Sequence, residues 1–167
     1  MLSRNTQSSA LIRVQSWERH GGIAPEVVAE LLQLRWPMGT GVVATGRVDV
    51  ICINPADWLI VAREDGSAGE LVAALQRGFH GSSFRATDLS HALGRVRIAG
   101  DGARLLLSRV SALDVRSSSE LIPGCAPSTL VAGLPAVVRC LSPTSFELIV
   151  SSSYVEFLMA WLRDADV

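Results

Sequence analysis

Asp88, Ser90 and His91 bring the side-chain types of a nucleophilic triad into one short stretch. A working triad needs the hydroxyl to reach the imidazole and the imidazole to reach the carboxylate. Adjacent residues on a strand point to opposite faces, so Ser90 and His91 diverge and cannot share a proton directly. The spacing predicts a local role instead, with Asp88 or Ser90 bonding nearby backbone. Metal chemistry would draw on His20, His80 and His91 with Cys52, Cys125 and Cys140. None of them stands at a C-x-x-C or H-x-x-x-H interval. The cysteines are odd in number and far apart in sequence, which fits reduced thiols in the cytoplasm. Gly39-Thr40-Gly41 and Gly100-Asp101-Gly102 are the glycine-rich spots, and neither forms a G-x-G-x-x-G loop. Both read as turns. All 15 basic residues are arginine, so this chain supplies no lysine for a Schiff base or a Walker-type phosphate loop. Glu64 and Asp65 fall in a polar loop, where solvated acids belong.

The elements that would position such groups follow from composition and periodicity. A length of 167 residues suits one domain, or one compact unit of two small lobes. Residues 1–9 read as a disordered stub and 10–167 as a single domain. Hydrophobic residues make up 49% and charged residues 19%, apolar enough to suggest surface covered by partners. A net charge of −1 gives no electrostatic reason to expect nucleic acid or an anionic membrane as partner. The polar start has no signal-peptide core, and no run of about 18 apolar residues occurs.

Alternation predicts strands over 10–17, 47–53, 58–62 and twice within 84–99, with Asn54-Pro55-Ala56-Asp57 as a hairpin turn. Arg95 and Arg97 alternate with Val96 and Ile98 and are expected on a wet face. Pro25 opens a helix that Pro37 ends, and residues 38–46 are expected to be loop. His20-Gly21-Gly22 reads as a turn, and Ser67 with Glu70 as a capping box before a second helix. A short helix follows Gly100-Asp101, and a loop runs through Ser117-Ser118-Ser119 and 123–127. Three further strands lie at 130–131, 136–141 and 146–150. The last element is a helix over 154–164, in which Tyr154, Phe157, Leu158, Trp161 and Leu162 form one apolar stripe that Val155 and Met159 extend. The order is that of an α+β protein, antiparallel sheets with helices on one face. Four tryptophans, Trp17, Trp36, Trp58 and Trp161, are many for this length, and one or two should face a partner.

Three stretches resemble the gamma subunit of heterotetrameric sarcosine oxidase. The first is the hairpin from Ile53 to Val61 around Trp58, similar to that family's Gly-Pro-Asp-Glu-Trp-Leu-Leu. The second runs from Asp88-Leu89-Ser90-His91 through Gly94-Arg95-Val96-Arg97-Ile98-Ala99-Gly100 into the helix with Ala103 to Leu107. The third, the most specific, is Ser145-Phe146-Glu147-Leu148-Ile149-Val150 followed by Ser153 to Leu162. Cys125 also falls where the family often has it. The resemblance implies ferredoxin-like lobes, as in the glycine-cleavage aminomethyltransferase and related folate-binding proteins. It implies a non-catalytic subunit of a cytoplasmic complex that oxidatively demethylates sarcosine, with alpha, beta and delta subunits as partners. FAD, FMN, NAD, tetrahydrofolate and zinc are then implied in those partners and none in this chain.

Two departures bear on that reading. Folate-dependent relatives carry an acidic residue after a Gly-Gly turn, where this chain reads Ala132-Gly133-Leu134-Pro135. Members often have Asp-Glu before the hairpin tryptophan, where this chain has Ala56-Asp57. The rival readings are a subunit of a related N-methylglutamate dehydrogenase, a stand-alone folate-binding aminomethyltransferase-like protein, and a generic adaptor. For contacts with partners the sequence nominates Trp58, Tyr154, Phe157, Met159 and Trp161.

Overall fold

The computed structural model describes residues 3–6, 10–18, 24–62, 68–115 and 121–165, with the side chains of 3–6 excepted. The elements run β1 (Ser3–Thr6), β2 (Leu11–Ser16), α1 (Glu26–Leu32), β3 (Val43–Thr45), β4 (Val48–Asn54), β5 (Asp57–Ala62), α2 (Ala68–Gly78) and β6 (Phe84–Asp88). Then come β7 (Leu93–Ala99), α3 (Ala103–Val110), β8 (Ser128–Val131), β9 (Leu134–Ser142), β10 (Ser145–Ser151) and α4 (Val155–Asp164). A 3₁₀ turn, Ser152–Tyr154, leads into α4. The fold is α+β, with two antiparallel sheets and helices α1 to α4 among the described residues.

The chain divides into two compact units, one spanning Ser8–His91 and the other joining Met1–Gln7 to Ala92–Val167. In the first, the sheet order is β3-β4-β5-β2-β6. Leaving β3 aside, strands and helices follow as βαββαβ, the ferredoxin-like arrangement. One sheet face and the two helices enclose a core that includes Ile12, Val14, Val28, Leu32, Val50, Trp58, Ile60 and Leu75. Its aromatic centre joins Trp36, Trp58, Phe79 and Phe84, with the Trp36 and Trp58 rings 5.3 Å apart. The Trp58 indole N–H donates to the Pro37 carbonyl at 2.8 Å, which satisfies the one polar atom this ring carries into the core.

The second unit repeats the plan with the order β1-β7-β10-β9-β8. Here the strand that would follow α4 is replaced at the sheet edge by β1 from the start of the chain. Ser3 to Thr6, expected in a disordered stub, pair antiparallel with Ala99 to Val96. The physical reason is the open edge of β7, whose unpaired backbone groups accept any extended segment within reach. One face of this sheet, with α3 and α4, encloses Val96, Ile98, Leu106, Leu107, Val138, Phe146, Leu148, Leu158 and Leu162.

Other expectations changed. Helix α1 stops at Leu32, short of Pro37, because Gln33 turns left-handed (φ 54°) and its amide bonds back to Ala29 and Glu30. The expected loop 38–46 contains β3, whose Val43 pairs with Ile51. Arg97 is exposed as expected, but Arg95 on the same face is only 8% exposed, because Glu147 pairs with it from the neighbouring strand. The His20-Gly21-Gly22 turn, Ser67 of the capping box, Glu64-Asp65 and the serine run 117–119 lie outside the described residues.

Candidate functional site

The outer face of α4 gathers three exposed aromatic side chains and is a candidate for recognition. Its construction begins at β7. A Cβ placed on Gly94 would come 2.3 Å from the Val155 Cγ2 atom, so only glycine lets the start of α4 settle this closely on the sheet. The Ser152 amide bonds to the Ala92 carbonyl at 2.9 Å and fixes the entry to the helix. At the other end Arg109 of α3 donates to the Ala165 carbonyl at 2.9 Å, placing a cation at the helix C-terminus, where the macrodipole favours it.

Anchored this way, the predicted stripe splits in two. Leu158 and Leu162 are fully buried, and Val155 and Met159 pack partly against the same core. Tyr154, Phe157 and Trp161 stand outward at 44%, 49% and 48% exposure, two aromatic rings on a helix only ten residues long and one on the 3₁₀ turn that leads into it. The Phe157 and Trp161 rings lie 5.9 Å apart and tilted by 35°, so they present a continuous apolar surface. A stripe this wide exceeds what one sheet face can cover, and the uncovered half is aromatic.

The other nominated residues divide on burial. Trp58 is 0% exposed and belongs to the core of the first unit; it offers no surface to a partner, and its place in the hairpin reflects packing. Met159 contributes only its partly exposed edge. Of the four tryptophans, Trp17 (65%) and Trp161 are exposed, while Trp36 and Trp58 are buried. Arg85 lies over the Trp17 ring at 5.8 Å.

The triad candidates form a turn. Asp88 Oδ1 accepts from the Ser90 amide at 2.8 Å and from the Ser90 hydroxyl, and Ser90 Oγ accepts from the Leu11 amide at 3.1 Å. Ser90's proton is therefore committed to Asp88. The Ser90 hydroxyl, and then its amide, hold the Asp88 carboxyl below the usual carboxylate range. Gly100 takes a positive φ of 126° and Gly41 one of 77°, the turn roles expected of both glycine-rich spots. Among the described residues no group of three or more His, Cys, Asp or Glu could hold a metal ion. An open depression at the end of α2 has Phe79 and Phe84 as its buried lining, with His80, Ser82 and Arg85 exposed around it; no carboxylate lines it.

Two arrangements were missed in sequence. Glu147 on β10 is 1% exposed and accepts from Arg95 Nε at 2.9 Å and from Arg139 Nη1 at 3.2 Å, across both neighbouring strands. A lone carboxylate in the apolar run Phe146–Val150 was the signal. The turn at Ala132-Gly133 is a two-residue hairpin with φ of 50° and 77° between the paired Val131 and Leu134. These signs match a type I′ turn.

Similar architectures are known. The structure of heterotetrameric sarcosine oxidase from Corynebacterium sp. U-96 in complex with pyrrole 2-carboxylate contains a chain that superimposes with a TM-score of 0.85 at 21% identity, over 98% of this chain and 83% of that one. Glycine cleavage system aminomethyltransferase T from Bartonella henselae matches with a TM-score of 0.62 at 16% identity, over 92% of this chain and 42% of that one. The ligand-free regulatory subunit of aspartate kinase from Thermus thermophilus gives 0.56 at 14% identity, over 98% and 97%. The fold is thus aminomethyltransferase-like, in a chain whose most distinctive surface is an unpaired aromatic helix face. No curated protein sequence matches the chain. The profile of the sarcosine oxidase, gamma subunit family matches residues 22–167, and the chain belongs to that family.

Proposed function

We propose that this chain is a non-catalytic subunit of a cytoplasmic heterotetrameric sarcosine oxidase, joined to its alpha, beta and delta partners in part through the outer face of α4. The observation that carries the proposal is the exposed set Tyr154, Phe157 and Trp161 in a chain of the gamma subunit family. Aromatic side chains supply large contact area at small entropy cost and are enriched at the centres of interfaces. The committed hydroxyl of Ser90 and the carboxylate-free Ala132-Gly133 turn support a role in assembly rather than in chemistry. Oxidative demethylation of sarcosine is then the work of the partners, which would hold the flavins, NAD, tetrahydrofolate and zinc.

The test is co-expression of a tagged chain with the subunits encoded beside it. The expected result is a stoichiometric complex that carries flavin and oxidises sarcosine, with the isolated tagged chain colourless. A chain that purifies as a stable monomer in the presence of those subunits refutes the proposal. Saturable micromolar binding of tetrahydrofolate to the isolated chain, read by tryptophan fluorescence, would replace it with a stand-alone folate-binding role. Oxidation of N-methylglutamate in place of sarcosine would keep the subunit role and change the substrate.

A further inference from the structure

The sequence separates Cys125 from Cys140, but the second unit brings them together. The β8–β9 ladder pairs Ser128 with Val137 and Thr129 with Ala136, and it does not stop at the end of β8. The Val138 amide bonds to the Pro127 carbonyl at 2.9 Å and the Cys140 amide to the Cys125 carbonyl at 3.1 Å. In that continued register Cys125 stands directly opposite Cys140, with both side chains on the same face of the sheet. Cys140 is 3% exposed and Cys125 half-buried, and both are free thiols. Opposed residues of a hydrogen-bonded pair have Cα atoms about 5.5 Å apart, inside the range a disulfide spans. Cβ atoms of such a pair stand about 5.5 Å apart, beyond the ~3.5–4.5 Å of a relaxed disulfide. The Cys125 amide bonds to Ile122 and not to Cys140, so the strand end must draw in for the bridge to close, which leaves the bridge strained and reducible.

A cation completes the site. Arg104 lies over the Phe146 ring at 5.2 Å, and Phe146 is the cross-strand partner of Cys140. Its guanidinium is held by the carbonyls of Val115 at 2.8 Å and Leu121 at 3.1 Å. Burial pushes the Cys140 thiol up, Arg104 opposes that, and the neighbouring Cys125 adds to it. Cys52, in the first unit, is buried with its thiol directed to the Asn54 carbonyl at 3.4 Å.

We infer that Cys125 and Cys140 form an oxidative modification site that closes to a reversible disulfide under hydroperoxide stress. Cys125, the more accessible of the two, reacts first, because oxidation follows access and thiolate character. Its thiolate attacks the peroxide O–O bond, giving a sulfenic acid and releasing hydroxide. The Cys140 thiol then displaces the sulfenic hydroxyl, which leaves as water once it takes the Cys140 proton. Two thiols are oxidised by two electrons, and one hydrogen peroxide is reduced.

Trypsin places each cysteine on its own peptide: residues 48–63 for Cys52, 117–139 for Cys125 and 140–163 for Cys140. The full chain is treated with hydrogen peroxide, acid-quenched, alkylated, digested and mapped by mass spectrometry. The expected product is the 117–139/140–163 pair linked by a disulfide and released by dithiothreitol, with the 48–63 peptide still alkylated. Chain unfolded in urea should lose that selectivity and link Cys52 as well. In Cys140→Ser, Cys125 should be captured as a dimedone adduct; in Cys125→Ser, Cys140 should stay alkylatable. Cys125 over-oxidised with Cys140 unchanged in the wild-type chain, neither residue oxidised, or Cys52 in the native link would each overturn the inference. The wild-type map decides this even where a variant fails to fold.

Discussion

Alanine substitutions on the two faces of α4 separate folding from recognition within one helix. Leu158 is fully buried in the core of the second unit, so Leu158→Ala removes methyl groups that the sheet cannot fully collapse around. The cost expected for such a change is about 2–5 kcal/mol. For a chain of this size each kcal/mol moves Tm by about 2–4 °C, so the transition should fall by about 4–20 °C. Trp161 is 48% exposed, and its ring meets the tilted Phe157 ring at 5.9 Å. Trp161→Ala should cost the fold only about 0.5–1.5 kcal/mol, the worth of one aromatic pair. At a partner interface the order reverses. Truncating a central aromatic costs about 2 kcal/mol or more, which is about thirtyfold in Kd. Thermal denaturation of each variant alone, followed by titration against the purified partner subunits, reads both numbers. If Trp161→Ala lowers Tm as far as Leu158→Ala, or binds the partners within twofold of the parent, the outward face is not an interface and the assignment of α4 falls.

Three further outcomes follow from particular contacts. Glu147→Gln leaves Arg95 buried without its carboxylate; breaking a buried ion pair on one side costs about 3–5 kcal/mol, and chemical denaturation with urea should show a loss of that order. A loss below about 1 kcal/mol would mean that the arginines are satisfied without Glu147. Ala132→Asn should raise Tm by about 1–4 °C, because alanine at φ 50° bears a left-handed strain of about 1 kcal/mol that asparagine tolerates in an Asn-Gly hairpin turn; a lower Tm contradicts the turn assignment. Ser90→Ala should raise the Asp88 pKa back towards its ordinary value, followed by NMR titration of the carboxyl carbon. Because the folded Asp88 pKa is depressed, its contribution to stability is present above the unfolded carboxylate pKa of about 3.9 and is lost as pH falls through the folded value. In Ser90→Ala that loss should disappear, and an unchanged acid limb of the stability curve would show that the turn is not its source.

What the sequence determined by itself was the local physics and the family likeness. Short apolar runs bounded by turn residues placed the hairpin β4–β5 and the strands β9 and β10, although β4, β5 and β10 are buried on both faces and do not alternate in burial. The i, i+3, i+4 stripe located α4 to within a residue. Ser90 and His91 lie in a turn beyond the end of β6, so strand alternation does not apply to them, but the local backbone-bonding role expected of Asp88 and Ser90 is the one they fill.

Tertiary structure decided everything that depends on what covers a face. The stripe on α4 could not say that Leu158 goes in while Trp161 stays out, since both are apolar and only the sheet's width divides them. Trp58 reads as an interface anchor in isolation and is core because Pro37 supplies its hydrogen bond and Trp36 and Phe84 surround it. Arg95 reads as a wet residue and is buried because Glu147 meets it from the next strand. Cys125 faces Cys140 because the two-residue Ala132-Gly133 turn sets the register of its hairpin. The meeting of β1 with β7, in contrast, joins positions far apart in the chain, a pairing set by strand register across the sheet that no local window of sequence contains.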